Sequence, residues 1–565
     1  MTSTSSRAQT RLQGIAAAPG QVVAPAWRWG DEPIQNSGVD LTGESGIARL
    51  RVAIADTRTA LAAKASKLEA TGAAAEAGIM EAQALMLDDP ALIDGATNLI
   101  RQGRPADEAV GETMAPFAEM LRASDDQVFR ARAADLEDVV RQVRRALHGA
   151  SDVPPPPDRP SIVVARDLAP SQTAGLDRAL VVGFVTEQGT ATAHTAILAR
   201  ALGLPAVVGV AGVVDAVENG TPLLLDGDAG TLLIDPPADA VSRVSGPAKA
   251  VADADPALTR DGRRVEVGCN AANLSDAQRA AAAGADGIGL LRSEFLFLSG
   301  SRLPSEDQQV GVLEQVMVAM GDRPVILRTL DVGADKPLPA LPQPPEGNPA
   351  LGVRGLRLQL LRRQDLLRDQ LSAALRVAAR HPLRLMFPMV STVDEVRRAK
   401  RLLDEARAEL ELSTLRMEVG IMIEVPAAAI SADILAREVD FFSLGTNDLT
   451  QYTFAADRTN PDLAALADSL HPALLRLIHQ VVTAAHAQRR WVGVCGEMAS
   501  DLWAIPLLVG LGIDELSVHP PMVPRIKAAV RALDSLKAAN AAAASLDLED
   551  GGAVRRLLEQ RGLRP

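Results

Sequence analysis

Eight short strand-like runs alternate with helix-forming stretches between Arg264 and Val518, and this alternation constrains the fold more than any other feature of the chain. The runs are Arg264–Gly268, Gly287–Leu291, Val325–Thr329, Leu383–Met389, Val419–Val425, Phe441–Gly445, Trp491–Cys495 and Glu515–Val518. Runs this short and this rich in Val, Ile, Leu and Phe read as buried strands. Helix-length connections between successive strands favour parallel pairing. Eight such units predict a (β/α)8 TIM barrel over residues 261–540, with a doubly wound open sheet as the alternative topology.

A parallel barrel gathers its chemistry at the carboxyl ends of its strands, and those ends are where the polar residues fall. The second strand runs into Leu291-Arg292-Ser293-Glu294, and the third into the segment Arg328 to Lys336. Met389 closes the fourth strand and Glu424 the fifth. The sixth leads to Gly445-Thr446-Asn447-Asp448, with Arg458 further on, and the seventh reaches Cys495-Gly496-Glu497. Arg292, Arg328, Lys336, Arg354 and Arg458 suit a phosphate and a carboxylate, because guanidinium forks match both anions bidentately. Glu424 and Asp448 are hard oxygen ligands of the kind Mg²⁺ takes, one or two at a time. Any one of these side chains alone reads as a surface salt bridge. Repeated at successive strand ends, they read as a site. Cys495 has two readings. It is a small core residue closing an apolar strand, which the spacing slightly favours, or a proton donor at the strand's exit. Cys269 reads as structural.

A chain of 565 residues exceeds what one core can organise, so further domains precede the barrel. Residues 1–13 read as a polar, disordered tail. Ala-, Leu-, Arg- and Glu-rich helical periodicity fills 41–147 and predicts a bundle of four helices. The run Val153-Pro154-Pro155-Pro156-Pro157-Asp158 ends it as a stiff linker would. Strand-like segments recur over 148–235, and with residues 14–40 they predict one α/β domain into which the bundle is inserted. Residues 236–260 read as a linker, and 541–565 as a helical extension.

Within that α/β domain, the strand Ala179–Val185 leads through the small-residue loop Gln188-Gly189-Thr190-Ala191-Thr192-Ala193 to His194, where a helix should begin. A neutral imidazole there either caps the helix or carries an anion beside the positive end of its dipole. The other histidines, His148, His381, His471, His479, His486 and His519, have no metal-ligand spacing and read as surface or cap residues. A net charge of −13 argues against general nucleic-acid binding, and 2% aromatic residues argue against recognition by base stacking. Two distant cysteines, no secretory signal in Met1–Gln13 and no 18-residue apolar run point to a cytoplasmic protein without membrane insertion.

Taken together, Gly289-Leu290-Leu291-Arg292-Ser293-Glu294-Phe295-Leu296, Arg328 to Lys336, Glu424-Val425-Pro426-Ala427-Ala428-Ala429 and Asp440 to Tyr452 resemble enzyme I of the bacterial phosphoenolpyruvate-dependent sugar phosphotransferase system. The likeness runs from Gly14 to at least Lys527. It implies a phosphohistidine β/α domain with an inserted bundle that docks the carrier protein HPr, followed by a phosphoenolpyruvate-binding barrel. His194 would take the phosphoryl group from phosphoenolpyruvate, releasing pyruvate, and pass it to a histidine of HPr for sugar uptake. Arg292, Arg328 and Arg458 would hold the phosphate with help from Lys336 and Arg354, and Asn447 would orient the substrate. Glu424 and Asp448 would ligate Mg²⁺, and Cys495 would protonate the enolate carbon. A homodimer through the barrel is implied as well.

This sequence departs from the family at the phosphohistidine. Where relatives read Gly-Gly, then Arg or Met, then Thr-Ser-His, it reads Gly189-Thr190-Ala191-Thr192-Ala193-His194. Gln83 stands where many relatives have a histidine in the carrier-docking region, and Ala334 replaces a glycine. These changes leave rate and choice of carrier open. Two other functions remain in view: a regulatory phosphorelay, and an enzyme like phosphoenolpyruvate synthase or the dikinases. The first would lack its customary N-terminal sensor domain, and the second its ATP-grasp domain.

Overall fold

The computed structural model describes residues 10–18, 20–29, 40–70, 74–122, 127–149, 157–168, 172, 180–189, 195–196, 199, 204–227, 229–237, 240–241, 253–298, 303–333, 338, 340–344, 346–457, 460, 463 and 466–564. They divide into two units, Met1–Ala248 and Lys249–Pro565.

The first unit is built on one sheet. Its strands are β1 (Thr10–Gln13), β2 (Ile15–Ala18), β3 (Gln21–Trp29), β4 (Ser161–Ala165), β5 (Val181–Thr186), β6 (Ala206–Val208), β7 (Pro222–Asp226) and β8 (Thr231–Ile234). They lie in the order β1-β8-β7-β3-β4-β5-β6-β2. The central run β3-β4-β5-β6 is parallel, and the outer pairs are antiparallel. β4 is buried along its whole length because both faces are covered. Ile162 and Val164 pack with Val185 and Leu225 on one side, while Val163 and Ala165 pack with Phe184 and Trp29 on the other. Residues 10–13, expected in the disordered tail, instead pair with β8 as an edge strand, with Leu12 packed against the core.

Between β3 and β4 the chain leaves the sheet for α1 (Gly43–Ala70), α2 (Ala74–Met86), α3 (Pro90–Arg101), α4 (Ala106–Arg122) and α5 (Gln127–Leu147). The expected four helices are five among the described residues. Asp89 caps the backbone N–H of Ala91, and Pro90 occupies the first turn, so a new helix starts where periodicity alone runs on. Pro116, by contrast, lies inside α4 without ending it. α1 packs on α2 and α5, and α4 on α3 and α5, around Leu50, Leu61, Met80, Leu87, Ile100 and Val143.

The second unit is a closed parallel barrel of β9 (Glu266–Ala271), β10 (Ile288–Arg292), β11 (Val325–Arg328), β12 (Leu383–Phe387), β13 (Val419–Ile423), β14 (Phe441–Leu444), β15 (Trp491–Val494) and β16 (Glu515–Val518). Pairing of β16 with β9, from Glu515↔Glu266 to Val518↔Cys269, closes the ring and removes the open-sheet alternative. β9 extends to Ala271, beyond the expected Gly268, because Asn270 is spent inside the barrel, where its Oδ1 accepts from Ser517 Oγ at 2.7 Å. Leu290, Ile326, Met386, Met422, Phe441 and Cys495 form the inner core. Serine and threonine capping boxes at Ser305/Gln308 and Thr392/Glu395 start two of the outer helices.

The C-terminal part of the expected linker is fixed to the barrel. Lys527, fully buried, donates to the carbonyl oxygens of Asp253, Asp255 and Gly284 and to Asp286, while Arg531 forks onto Asp253 at 2.6 and 2.8 Å. The helix Ser535–Ser545 runs across residue 540, so the barrel's packing does not stop at that expected boundary. Among the described residues no helix is long and apolar enough to cross a membrane.

Candidate active site

Because every barrel strand runs the same way, the last residues of β10, β11, β13, β14 and β15 meet at one rim. Arg328 ends β11, and Asp331 follows three residues later. Arg354 stands at the start of the short helix Gly355–Leu361, Glu424 follows β13, and Asp448 lies in the helix Thr446–Phe454 after β14. All five side chains are buried. Asp331 is the hub of this cluster. Both of its oxygens take Arg354 Nη2, at 3.2 and 3.1 Å, and Oδ2 also lies 3.2 Å from Arg328 Nη1. Arg328 Nη2 donates to Glu294, and Arg354 Nη2 sits 3.6 Å from Asp448. Burial works against both guanidinium charges, but the surrounding carboxylates outweigh it and hold each arginine's pKa above its usual value.

Glu424 experiences the opposite balance. Burial first, then the neighbouring Asp448 and Asp331, push its carboxyl up to about 7, against the pull of Arg328 and Arg354. Its Oε1 accepts the backbone N–H of Met389 at 2.6 Å, and Met389 takes a left-handed φ of 54° to present it. A methionine in that conformation is strained, and such strain collects where a site demands it. Gly355, at φ 56°, is needed next to it: a Cβ there would stand 2.9 Å from Met389 Cγ and 3.1 Å from Asp331 Oδ1.

Cys495 follows β15 and is buried in the barrel's inner core, with Sγ 3.6 Å from the Leu444 carbonyl oxygen. Burial pushes its thiol up to about 11, although a Ser443 hydrogen bond and the Arg328 charge oppose this. The group is therefore a thiol at neutral pH, and its place in the inner core fits the core reading. Asn270 supports the position by donating to the Cys495 carbonyl oxygen at 3.1 Å.

The structure brings Arg328, Arg354, Glu424 and Asp448 into one buried cluster, with Cys495 close enough that the charges of Arg328 and Glu424 act on its thiol. Arg292 is exposed at the end of β10. Asn447 turns its Oδ1 to the backbone N–H of Glu497 at 2.9 Å. His194, Lys336 and Arg458 lie outside the described residues, as do 190–193 of the altered loop. On either side of that loop β5 ends at Thr186, and Thr195 and Ala196 are helical and buried. Sequence reasoning missed Asp331, Glu294 and Tyr452. Asp331 had a signal: it is an acid within reach of a strand-end arginine. The other two are fixed by contacts between distant elements.

Several buried polar atoms at this rim have no hydrogen-bond partner among the described residues: Glu294 Oε2, Thr329 Oγ1, Thr446 Oγ1 and the Nε of both Arg328 and Arg354. Four carboxyl groups, Glu294, Asp331, Glu424 and Asp448, surround two buried guanidiniums. That excess of acid suits a divalent cation. Among the described residues, no three His, Cys, Asp or Glu side chains group as a metal cage.

Three family models match the chain: PEP-utilising enzyme, N-terminal, at residues 13–132; PEP-utilising enzyme, mobile domain, at 157–230; and PEP-utilising enzyme, PEP-binding domain, at 248–535. The phosphoenolpyruvate-protein phosphotransferase of Geobacillus stearothermophilus is 41% identical over 549 residues, 94% of either chain. That of Bacillus subtilis is 39% identical over 525 residues, 90% of this chain and 92% of that one. A multiphosphoryl transfer protein of Rhodobacter capsulatus is 42% identical over 540 residues. The match covers 92% of this chain but 64% of that longer relative.

Proposed function

The chain belongs to the PEP-utilising enzymes, within the phosphoenolpyruvate-protein phosphotransferases, and on that footing we propose that it phosphorylates its own His194 from phosphoenolpyruvate, releases pyruvate, and passes the phosphoryl group to a histidine of an HPr-like carrier. The observation that carries this reading is the buried pair Arg328 and Arg354, held by Asp331 beside Glu424 and Asp448 at the barrel rim. Phosphoryl transfer needs positioning and charge neutralisation more than covalent chemistry, and this rim supplies both.

In this mechanism Arg328 and Arg354 keep their charge and orientation before substrate arrives, so the donors are arranged in advance. Arg292 offers an exposed guanidinium at the end of β10, and Lys336 and Arg458 complete the grip on the phosphate. Asn447 orients the substrate. Glu424 and Asp448 would hold Mg²⁺, which when bound neutralises charge on the phosphate and enolate oxygens. The His194 ring nitrogen attacks phosphorus, the bond between phosphorus and the enol oxygen breaks with its electron pair left on that oxygen, and an enolate is left. Cys495, kept protonated by burial, gives its proton to the methylene carbon, and pyruvate forms. The thiolate is then reprotonated from water.

HPr-like docking falls to the helical insertion, where Leu85 on α2 and Phe117 and Met120 on α4 are exposed apolar side chains. The same reading makes the protein cytoplasmic and pairs two copies through the barrel, for which Ile430 and Ile434 offer exposed apolar surface. Labelled phosphoenolpyruvate with Mg²⁺ and no nucleotide tests the first step. Acid-labile label is expected on the wild type and absent from His194→Ala, with pyruvate released in proportion. Label on neither protein would remove phosphotransfer and leave a lyase or a purely regulatory role.

A further inference from the structure

Tyr452 is the one tyrosine in the chain, and its hydroxyl bridges two separate parts of the barrel rim. It lies on the helix Thr446–Phe454, which also carries Asn447 and Asp448. Its hydroxyl is 2.5 Å from the Ala350 carbonyl oxygen and 3.4 Å from Arg354 Nη1. Ala350 belongs to the turn Pro349–Leu351 in the long connection after β11, and Arg354 ends that connection. The direction of both bonds is set by chemistry. A guanidinium has donors and no acceptor, so the phenol proton goes to Ala350 and a phenol lone pair faces Arg354.

We propose that Tyr452 is a positioning residue for phosphoenolpyruvate, a latch that fixes the plane of the Arg354 guanidinium; this rests on the function proposed above. Asp331 grips Arg354 at Nη2 alone, which leaves the planar group able to pivot about that contact. A second hold at Nη1 stops the pivot. Nε then faces a fixed direction, with no hydrogen-bond partner among the described residues. Removing the hydroxyl leaves the ring's volume in place but deprives Ala350 and Arg354 of one partner each. The latch also joins the connection after β11, in which Lys336 lies, to the helix that bears Asp448.

The test is a double-mutant cycle in the full chain, carried out on a His194→Ala background so that substrate is not consumed. Calorimetry gives the Kd for phosphoenolpyruvate in Mg²⁺ for the parent, Tyr452→Phe, Arg354→Lys and the pair. Tyr452→Phe is expected to weaken binding roughly tenfold, as loss of one bond to a charged group does, without lowering the melting temperature by more than about 3 °C. The double variant is expected to bind no worse than Arg354→Lys alone, within about twofold, because the tyrosine acts through the arginine. Unchanged affinity in Tyr452→Phe, or losses that add in the double variant, would overturn the latch. Label transfer by the wild type, measured separately, decides the functional reading, so the two can fail independently. A parent that does not bind phosphoenolpyruvate would overturn both.

Discussion

Asp331 shows how one carboxylate can govern a charged site. It is completely buried, and two arginines from different parts of the rim depend on it. A buried ion pair adds little net stability, yet losing one partner strands the other charge away from water, at a cost of about 3–5 kcal/mol. Asp331→Asn keeps the shape and removes the charge. We expect kcat/KM for phosphoenolpyruvate to fall on the order of 100-fold and barrel unfolding to shift down by at least about 5 °C. Steady-state pyruvate release and a thermal melt check this. A variant with wild-type kinetics would show that the arginines hold their places without it.

Among the elements, β16 carries an acid where a barrel interior would ordinarily be apolar. Glu515 is 7% exposed, and it occupies room that Gly289 on β10 leaves open: a Cβ at 289 would stand 2.1 Å from its Oε1. Burial first, with Glu266, Asp286 and Asp514 adding to it and Arg384 opposing, pushes its carboxyl up to about 8. A raised carboxyl means the folded state holds a proton that the unfolded chain has already lost. Its contribution to stability is therefore full below about pH 4.5 and is lost as pH rises through about 8. Glu515→Gln cannot ionise. Its melting temperature relative to wild type is expected to climb from about pH 5 to about pH 8 and to level off above that, and parallel curves for the two proteins would contradict the assignment. Legibility also varied from element to element. Glu515–Val518 was readable to the residue because it is a short alternating segment between Gly512 and the Pro520-Pro521 pair. β9 was not, because Asn270 looks like the end of a strand until its partner Ser517 is known. Asp89-Pro90 marked a helix start that the periodicity of the bundle concealed.

At the scale of the whole chain, the two units share no core: the first has one cluster in the bundle and one on each face of the sheet, and the second is built around the barrel. A piece ending at Ala248 is therefore expected to melt cooperatively by itself. Under the proposed function it would accept label at His194 from a phosphorylated carrier but none from phosphoenolpyruvate, which needs the barrel. Label taken directly from phosphoenolpyruvate by that piece would exclude the barrel from the reaction. The sequence by itself determined the alternation of strands and helices and the clustering of charge at strand ends, since both are written in residues close together along the chain. It also carried the family's motifs. Only the tertiary structure decided that the sheet closes, because β16 and β9 pair across nearly the whole length of the second unit. It likewise decided that Arg328 and Arg354 are buried on one aspartate while Arg292 stays exposed, and that Tyr452 reaches Arg354. Burial and long-range hydrogen bonds belong to the packed molecule, and no local pattern of residues encodes which of several similar cations will lose its water.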